Sequence, residues 1–183
     1  MKKYLFLAAV ALIAITACGG KKASAQKEAA AQPEQTKSLV TSTEEGAMFT
    51  DFEIAQPDGK VARLSDYVGK GKYILVDFWA SWCGPCKREI PNIKAAYEKY
   101  KGDKFDVLSV AVWDKPEDTA KAAAEHGVVW TQIVDAQKVP TDIYGIQCIP
   151  HIILFGPDGT IVKRDLRGSA IETEVAKYVK PVK

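Results

Sequence analysis

The amino-acid sequence predicts an α/β fold in which helices flank a mixed central sheet. From about residue 49, strand patterns alternate with helix patterns, which favours parallel strands joined by helices. The chain then closes on a hairpin pattern followed by a helix, so we expect antiparallel strands as well. Of the 183 residues, 47% are hydrophobic, which is enough for one well-packed core but not clearly for two.

The first part of this pattern predicts a hairpin, a buried strand and a long helix. Residues 49–55 and 60–64 flank the sequence Gln-Pro-Asp-Gly, in which proline and glycine preset turn dihedrals, so a β-hairpin is expected. Residues 73–78 form an apolar run broken only by Asp77, which indicates a strand buried on both faces. Residues 83–100 then carry apolar side chains at helical spacing.

The second part predicts four strands and three helices. Residues 105–112 form another apolar strand. Asp114, Pro116 and Glu117 predict the start of a helix, as its cap, first-turn proline and capping-box carboxylate, and Gly127 predicts its end. The remaining predicted elements are a short strand near Ile133, a short helix near Tyr144, a strand at residues 151–155, a hairpin arm at residues 160–166 and a C-terminal helix.

The first 17 residues predict a secretory signal. Lys2 and Lys3 precede an apolar run at residues 4–15, which is too short to span a bilayer comfortably as a helix. The run closes on Ile-Thr-Ala-Cys, which resembles the lipobox of bacterial lipoproteins. This resemblance implies that Cys18 is acylated and becomes the mature N-terminus, with enough acyl chains to hold the protein on a bacterial membrane. The alternative is an ordinary cleaved signal in which Cys18 stands near the end by chance.

Three segments follow from this interpretation. Residues 1–17 are the signal peptide, residues 18–46 are the lipidated Cys18 and a flexible linker, and residues 47–183 are the folded domain, which is expected to face the periplasm or the cell exterior. The linker has no aromatic residue and is rich in polar and charged residues and alanine, so it cannot build a core.

The charge balance argues against a nucleic-acid partner. The chain has 25 basic and 23 acidic residues, and loss of Lys2 and Lys3 with the leader would make the two numbers equal. The basic residues also do not cluster in groups that could follow a phosphate backbone. The sequence predicts no cofactor either.

The cysteines point to redox chemistry. Four cysteines are too few for a disulfide-stapled scaffold in a chain of this length. The sequence Trp-Cys-Gly-Pro-Cys at residues 82–86 lies where the buried strand gives way to the helix, and this spacing brings both sulfurs close enough to bond. Cys83 would lie at the helix N-terminus, where unpaired amides favour a thiolate, so we predict that it is the nucleophile. Cys86 is then the resolving thiol.

The run Val-Asp-Phe-Trp-Ala-Ser-Trp-Cys-Gly-Pro-Cys at residues 76–86, together with Pro91 and the pair Ile149 and Pro150, resembles thioredoxin. It is more similar still to the TlpA/ResA-type anchored thioredoxin-like proteins, over about residues 48–180. The resemblance implies a thioredoxin fold with an N-terminal hairpin and a strand-helix insertion before the Ile-Pro loop. It also implies a thiol-disulfide oxidoreductase that reduces disulfides of exported proteins. In an oxidising compartment such a reductase needs an electron donor, which we expect to be a membrane protein.

Two carboxylates acquire possible roles. Ionisation of Asp77 in an apolar strand would be costly, so its pKa should be raised and it could accept the proton of Cys86, the role that the resemblance assigns to it. The alternative is a buried carboxylate satisfied by hydrogen bonds. The resemblance implies that Glu89 assists the thiols, and the alternative is a solvated charge favoured by the helix dipole.

The resemblance also implies a substrate-binding surface. In the family, the bond between Ile149 and Pro150 is cis and the preceding backbone pairs with an extended substrate. Trp82 is expected at the partner interface, beside Gly84 and Pro85, whose presence between the cysteines favours reduction of partners. Trp79 is expected to shield the site, while Trp113 and Trp130 are assigned to packing.

Cys148 stands where a glycine is commoner in the family. It is an inert small hydrophobe, a third redox participant, or an exposed and dispensable thiol, and we favour the last. A zinc site of Cys83, Cys86, Cys148 and His151 is a rival function, disfavoured by the rigid Pro150 and the thioredoxin-like motif, so no metal is predicted. Two further rivals are a peroxidase on a related scaffold and a passive tethered adaptor.

Overall fold

The computed structural model of the protein describes residues 42–182. The predicted signal at residues 1–17, the predicted lipid attachment at Cys18 and most of the predicted linker lie outside the described residues. None of the helices in the described part is long and apolar enough to cross a membrane.

The described residues form a five-stranded mixed sheet, a separate two-stranded hairpin and four helices. The hairpin strands are β1 Glu53–Ala55 and β2 Val61–Arg63. The sheet strands are β3 Tyr73–Trp79, β4 Phe105–Ala111, β5 Thr131–Ile133, β6 His151–Phe155 and β7 Ile161–Lys163. The helices are α1 Gly84–Tyr100, α2 Pro116–His126, α3 Val139–Tyr144 and α4 Ser169–Ala176. The strand order β5-β4-β3-β6-β7, with β6 antiparallel to both neighbours, confirms the predicted mixed sheet.

Strand β3 lies at the centre of the sheet and is buried on both faces, as predicted. On one face Leu75 and Trp79 pack into an apolar core to which α1, α2 and α4 contribute. On the other face Val76 and Phe78 pack into a second core with the hairpin and with Tyr144 of α3. Because both cores pack against β3, the position of the end of this strand is fixed, and with it the position at which α1 begins a few residues later.

The predicted capping of α2 is wrong in part. Pro116 does lie in the first turn and Gly127 does end the helix in a left-handed conformation. The residue before the helix is Lys115, however, and neither Asp114 nor Glu117 forms a side-chain cap or a capping box. The buried Asp114 carboxylate instead accepts hydrogen bonds from the backbone and hydroxyl of Ser81, at 2.6 and 2.9 Å, and from Thr119 at 2.9 Å. The Asp114 carboxylate therefore bonds to the segment before Trp82 and does not act as the N-cap of α2.

The end of the predicted linker is bound to the sheet edge. The Gly46 amide donates to the Ile161 carbonyl at 2.8 Å, and the Glu45 carboxylate pairs with Lys163 at 2.9 Å. The Arg164 guanidinium donates to the Thr43 carbonyl. These contacts extend the folded part a few residues before the predicted boundary at residue 47, because charged and backbone groups near β7 offer partners that composition alone does not reveal.

Two Pro-Asp-Gly turns provide a matched test of how closely Phe49 packs on the second of them. Gly59 and Gly159 both have positive φ, at 81° and 95°. A Cβ on Gly159 would lie 2.6 Å from a ring carbon of Phe49, whereas a Cβ on Gly59 would meet nothing within 4 Å. Gly59→Ala is therefore expected to cost only the backbone strain of about 1–2 kcal/mol, and Gly159→Ala distinctly more. Urea unfolding measures both, and equal losses would contradict the close packing of Phe49 on the second turn.

Candidate active site

The redox pair lies at the junction of β3 and α1. Cys83 has extended backbone geometry and caps the N-terminus of α1, and its sulfur is bonded to that of Cys86 in the first turn. The two Cα atoms are 5.2 Å apart, so the predicted spacing does bring both thiols together. Both residues are buried, Cys83 to 3% and Cys86 to 1% exposure.

The Cys83 sulfur lies where negative charge is favoured. The Cys86 amide donates to this sulfur at 3.1 Å, and the first-turn amides of α1 have no carbonyl partner within the helix. The positive end of the helix dipole also favours negative charge at this position. The Ile149 carbonyl oxygen lies 3.7 Å from the same sulfur. The Cys83 sulfur thus lies between a backbone amide and a backbone carbonyl group.

The loop before β6 forms the other wall of the site. The peptide bond between Ile149 and Pro150 is cis, Pro150 is buried and Ile149 is half-buried. Antiparallel pairing of His151 with Phe78 brings this loop alongside the end of β3. The Arg167 guanidinium, which the sequence did not single out, donates to the Pro150 carbonyl and pairs with Asp165 at 2.8 Å. Arg167 therefore ties the loop before β6 to the segment before α4.

Asp77 is a buried carboxyl group that is only partly hydrogen-bonded. It is 2% exposed and lies on the face of β3 shared by Leu75 and Trp79, which pack in the same core as Cys86. Its Oδ2 atom lies 3.5 Å from the Ser109 hydroxyl, and its Oδ1 atom has no hydrogen-bond partner among the described residues. Burial raises the pKa of Asp77 to about 7, against the lowering effects of Ser109 and the Arg167 charge.

Glu89 is half-buried one turn after Cys86 and is held in place. Its Oε2 atom accepts hydrogen bonds from Asn92 at 2.9 Å and from the Gly168 amide at 2.8 Å. The alternative of a freely solvated charge therefore does not describe it. Its negative charge acts to raise the pKa of Asp77, in opposition to Arg167. The structure thus brings Glu89, Arg167 and Asp77 into one electrostatic group.

An exposed surface surrounds the buried disulfide. Trp82 is 60% exposed, and its indole N–H donates to the Trp113 carbonyl at 2.9 Å, which fixes the ring. Pro85 is exposed and Gly84 is half-buried, while Trp79 is buried within the core behind the site. The exposed side chains of Trp82 and Pro85 therefore lie next to the two cysteines of the buried disulfide in the sequence.

Comparison with known proteins agrees with this geometry. The profile of the AhpC/TSA family matches residues 46–164, well over half of the chain. The chain belongs to the AhpC/TSA family. This AhpC/TSA-family chain is 28% identical to the thiol-disulfide oxidoreductase ResA of Geobacillus thermodenitrificans over 75% of its own length and 78% of that protein. It is also 28% identical to ResA of Bacillus subtilis, over 78% of each chain.

Solved structures give the same result. The thioredoxin domain of a thiol-disulfide oxidoreductase from Bacteroides vulgatus superposes with a TM-score of 0.68 and is 33% identical, covering 76% of this chain and all of that domain. A thiol:disulfide interchange protein from a Bacteroides species has a TM-score of 0.65 and 34% identity, covering 74% of this chain and 90% of that one. This AhpC/TSA-family protein has the thioredoxin fold and is a thiol-disulfide oxidoreductase, as predicted.

Cys148 is an exposed free thiol on the wall of a cavity of about 700 Å³. His151 lines the same cavity, and burial lowers its pKa to about 4. The Arg164 guanidinium lies 3.3 Å from His151 Nε2, and because guanidinium groups only donate, this nitrogen accepts and the ring stays neutral. Within residues 42–182, no three His, Cys, Asp or Glu side chains are placed to hold a metal ion, so the four residues of the rival zinc set are not brought together.

Three further residues contact the predicted site residues of this AhpC/TSA-family protein but were not predicted as part of the site. Ser109 carries the one hydroxyl group of β4, a mostly apolar strand. A single buried hydroxyl in such a strand could have indicated a residue that bonds to Asp77. Trp130 was assigned to packing, but its indole N–H also donates to the Ser109 hydroxyl at 2.8 Å. Arg167 had no local signal, because only the tertiary fold brings it to Pro150.

The shifted pKa of Asp77 predicts a pH-dependent stability difference. Between an ordinary value of 3.8 and about 7, the folded protein keeps a proton that the unfolded chain has lost. The free energy of unfolding therefore falls as pH rises through this window. Asn cannot ionise, so Asp77→Asn should gain about 4 kcal/mol relative to wild type between pH 3 and pH 8, at about 1.4 kcal/mol per pKa unit. Urea unfolding of the oxidised proteins at both pH values tests this, and a constant difference would contradict it.

Proposed function

We propose that this protein reduces disulfides of exported proteins by cycling between the Cys83 and Cys86 dithiol and its disulfide. The observation that carries the proposal is the Cys83 sulfur at the start of α1, within 3.1 Å of an amide and beside an exposed tryptophan. The relatives named thiol-disulfide oxidoreductases support the reaction class.

The reaction proceeds through a mixed disulfide. The Cys83 thiolate attacks one sulfur of the substrate disulfide, a bond forms between Cys83 and that sulfur, and the other substrate sulfur leaves as a thiolate that takes up a proton. Ionised Asp77 accepts the proton of Cys86, whose thiolate then attacks the Cys83 sulfur. The second substrate thiolate leaves, and the pair of electrons from the dithiol remains with the substrate. A pKa of about 7 suits Asp77 to this exchange at neutral pH.

The substrate-binding surface is formed by Trp82, Gly84, Pro85, Ile149 and Pro150. An extended substrate segment lies along the backbone before Pro150, where the Ile149 carbonyl is 3.7 Å from the Cys83 sulfur. Such pairing uses the same hydrogen bonds as strand addition to a sheet. Glu89 acts indirectly, because its charge raises the pKa of Asp77.

The oxidised protein must be reduced again for each new cycle. Because exported compartments are oxidising, the electrons come from a membrane protein that passes reducing equivalents outward. Such a donor would use the same surface around Trp82, since it must reach the same disulfide. This step completes the cycle without any bound cofactor.

Trapping of the mixed disulfide tests the mechanism. In Cys86→Ala the second attack is impossible, so covalent complexes with disulfide-containing exported proteins should accumulate, visible on nonreducing gels and released by dithiothreitol. Cys83→Ala should form none, and Cys148→Ala in the Cys86→Ala background should trap as well as its parent. Complexes that depend on Cys148 would contradict the assignment of Cys83 as nucleophile.

Peroxide consumption faster than disulfide reduction would favour the rival peroxidase.

We also propose that Cys18 carries the lipid that holds the protein in the bacterial cell envelope. The proposal is supported by the lipobox-like sequence before it. Cys18→Ala should move the protein from the membrane fraction to the soluble fraction and abolish incorporation of labelled fatty acid, because acyl chains provide the attachment. Cys148→Ala is the matched control and should stay in the membrane fraction. If wild type and Cys18→Ala are both found in the soluble fraction and neither incorporates fatty acid, the leader is an ordinary cleaved signal and the proposal is wrong.

A further inference from the structure

Three buried polar residues, Trp130, Ser109 and Asp77, are linked in series by hydrogen-bond contacts. The indole N–H of Trp130 donates to the Ser109 hydroxyl oxygen at 2.8 Å, and the Ser109 hydroxyl in turn lies 3.5 Å from Oδ2 of Asp77. Trp130 is 5% exposed, Ser109 1% and Asp77 2%. Ser109 is the direct neighbour of Asp77 in the pairing of β3 with β4. Buried polar groups at these positions need a physical account, because apolar residues would pack there at lower cost.

The direction of these hydrogen bonds is fixed by chemistry. An indole N–H can only donate, so the Ser109 oxygen accepts from Trp130. The single hydroxyl hydrogen of Ser109 is then free to point at the Asp77 carboxyl group. The Trp130 ring packs against Tyr97 of α1, with ring centroids 5.5 Å apart, so the donor cannot easily turn away. The Ser109 hydroxyl is therefore directed at one carboxylate oxygen of Asp77, Oδ2.

The two oxygens of Asp77 are thus in different situations. Oδ2 faces the Ser109 hydroxyl, whereas Oδ1 is buried without a hydrogen-bond partner among the described residues. We propose that Ser109 and Trp130 are positioning residues that engage Oδ2 and leave Oδ1 as the oxygen that takes the proton from Cys86. This inference rests on the proposed role of Asp77 as proton acceptor and assigns that role to one atom.

Other charges act on Asp77 and remain in place when Ser109 is changed. Glu89 of α1 raises the pKa of Asp77, and Arg167 from the segment before α4 lowers it. Cys86 is the titrating partner itself. Removal of the neutral Ser109 hydroxyl changes none of these charges, so its effect is separable from theirs.

The rate of the second attack as a function of pH tests the inference. The assay uses the Cys148→Ala background for every variant, because the exposed Cys148 thiol would also react. In that background, reduced protein mixed with 5,5′-dithiobis(2-nitrobenzoate) releases thionitrobenzoate twice, first by attack of Cys83 and then by attack of Cys86. Loss of the hydroxyl makes ionised Asp77 less favourable, so Ser109→Ala should shift the pH profile of the second release upward by about one unit, the lower end for a hydrogen bond to a charged group. The second release should then be about fivefold slower at pH 7 and unchanged above pH 9.

Three further variants separate positioning from general damage. Ser109→Thr keeps the hydroxyl and should restore the wild-type profile. Trp130→Phe keeps the ring but removes the N–H, so it should shift the profile in the same direction by less. Thr141→Val removes a buried hydroxyl of α3 that bonds to the Lys138 carbonyl, and it should leave the second release unchanged.

The Asp77→Asn background distinguishes failure of the inference from failure of the proposed function. If Ser109→Ala shifts the profile equally with Asn at position 77, or does not shift it in the wild-type background, the positioning role is overturned. If Asp77→Asn itself leaves the second release unchanged at every pH, Asp77 is not the proton acceptor; this role and the inference that rests on it are then overturned, whereas the cycle of Cys83 and Cys86 is not. A shift in the wild-type background that disappears in Asp77→Asn supports the role of Asp77 as proton acceptor and the positioning role of Ser109.

Discussion

The burial of β3 on both faces is the constraint on which the site depends. A strand paired on both sides and packed between two apolar cores cannot shift its register, so its last residue, Trp79, fixes where α1 begins. That start places the Cys83 sulfur at the helix N-terminus, where the Cys86 amide reaches it. The same strand carries Asp77 into the core, at a cost in free energy that the surrounding apolar contacts offset.

The parts of the molecule that depend on contiguous sequence could be predicted. The apolar run at residues 73–78, the following Trp-Cys-Gly-Pro-Cys motif and the glycine after α2 each specify local structure through their own side chains and dihedrals. The thioredoxin fold and the oxidoreductase class were predicted from the family resemblance that residues 76–86, Pro91, Ile149 and Pro150 carry. A pairing of cysteines three residues apart on one helical turn hardly depends on the rest of the fold.

The parts that depend on tertiary contacts could not be predicted. Asp114 matched a helix cap in sequence, yet its carboxylate bonds to Ser81, which is 33 residues away. Arg167 reaches Pro150 and Glu45 reaches Lys163 only because strands pair as they do. In each case the polar side chain could bond to several partners. The tertiary fold determines which partner it meets, and no local sequence pattern indicates that partner.

The contacts of Pro150 also limit where a partner can bind. Proline has no backbone N–H, and the Pro150 carbonyl is already engaged by Arg167. Backbone pairing with a partner must therefore use the residues before Pro150, and Ile149 is the one whose carbonyl lies beside the Cys83 sulfur. A partner strand that pairs there would lie beside the Cys83 sulfur, whereas Asp77 is buried in the core and out of its reach. In the proposed mechanism, substrate recognition and proton exchange therefore use separate groups.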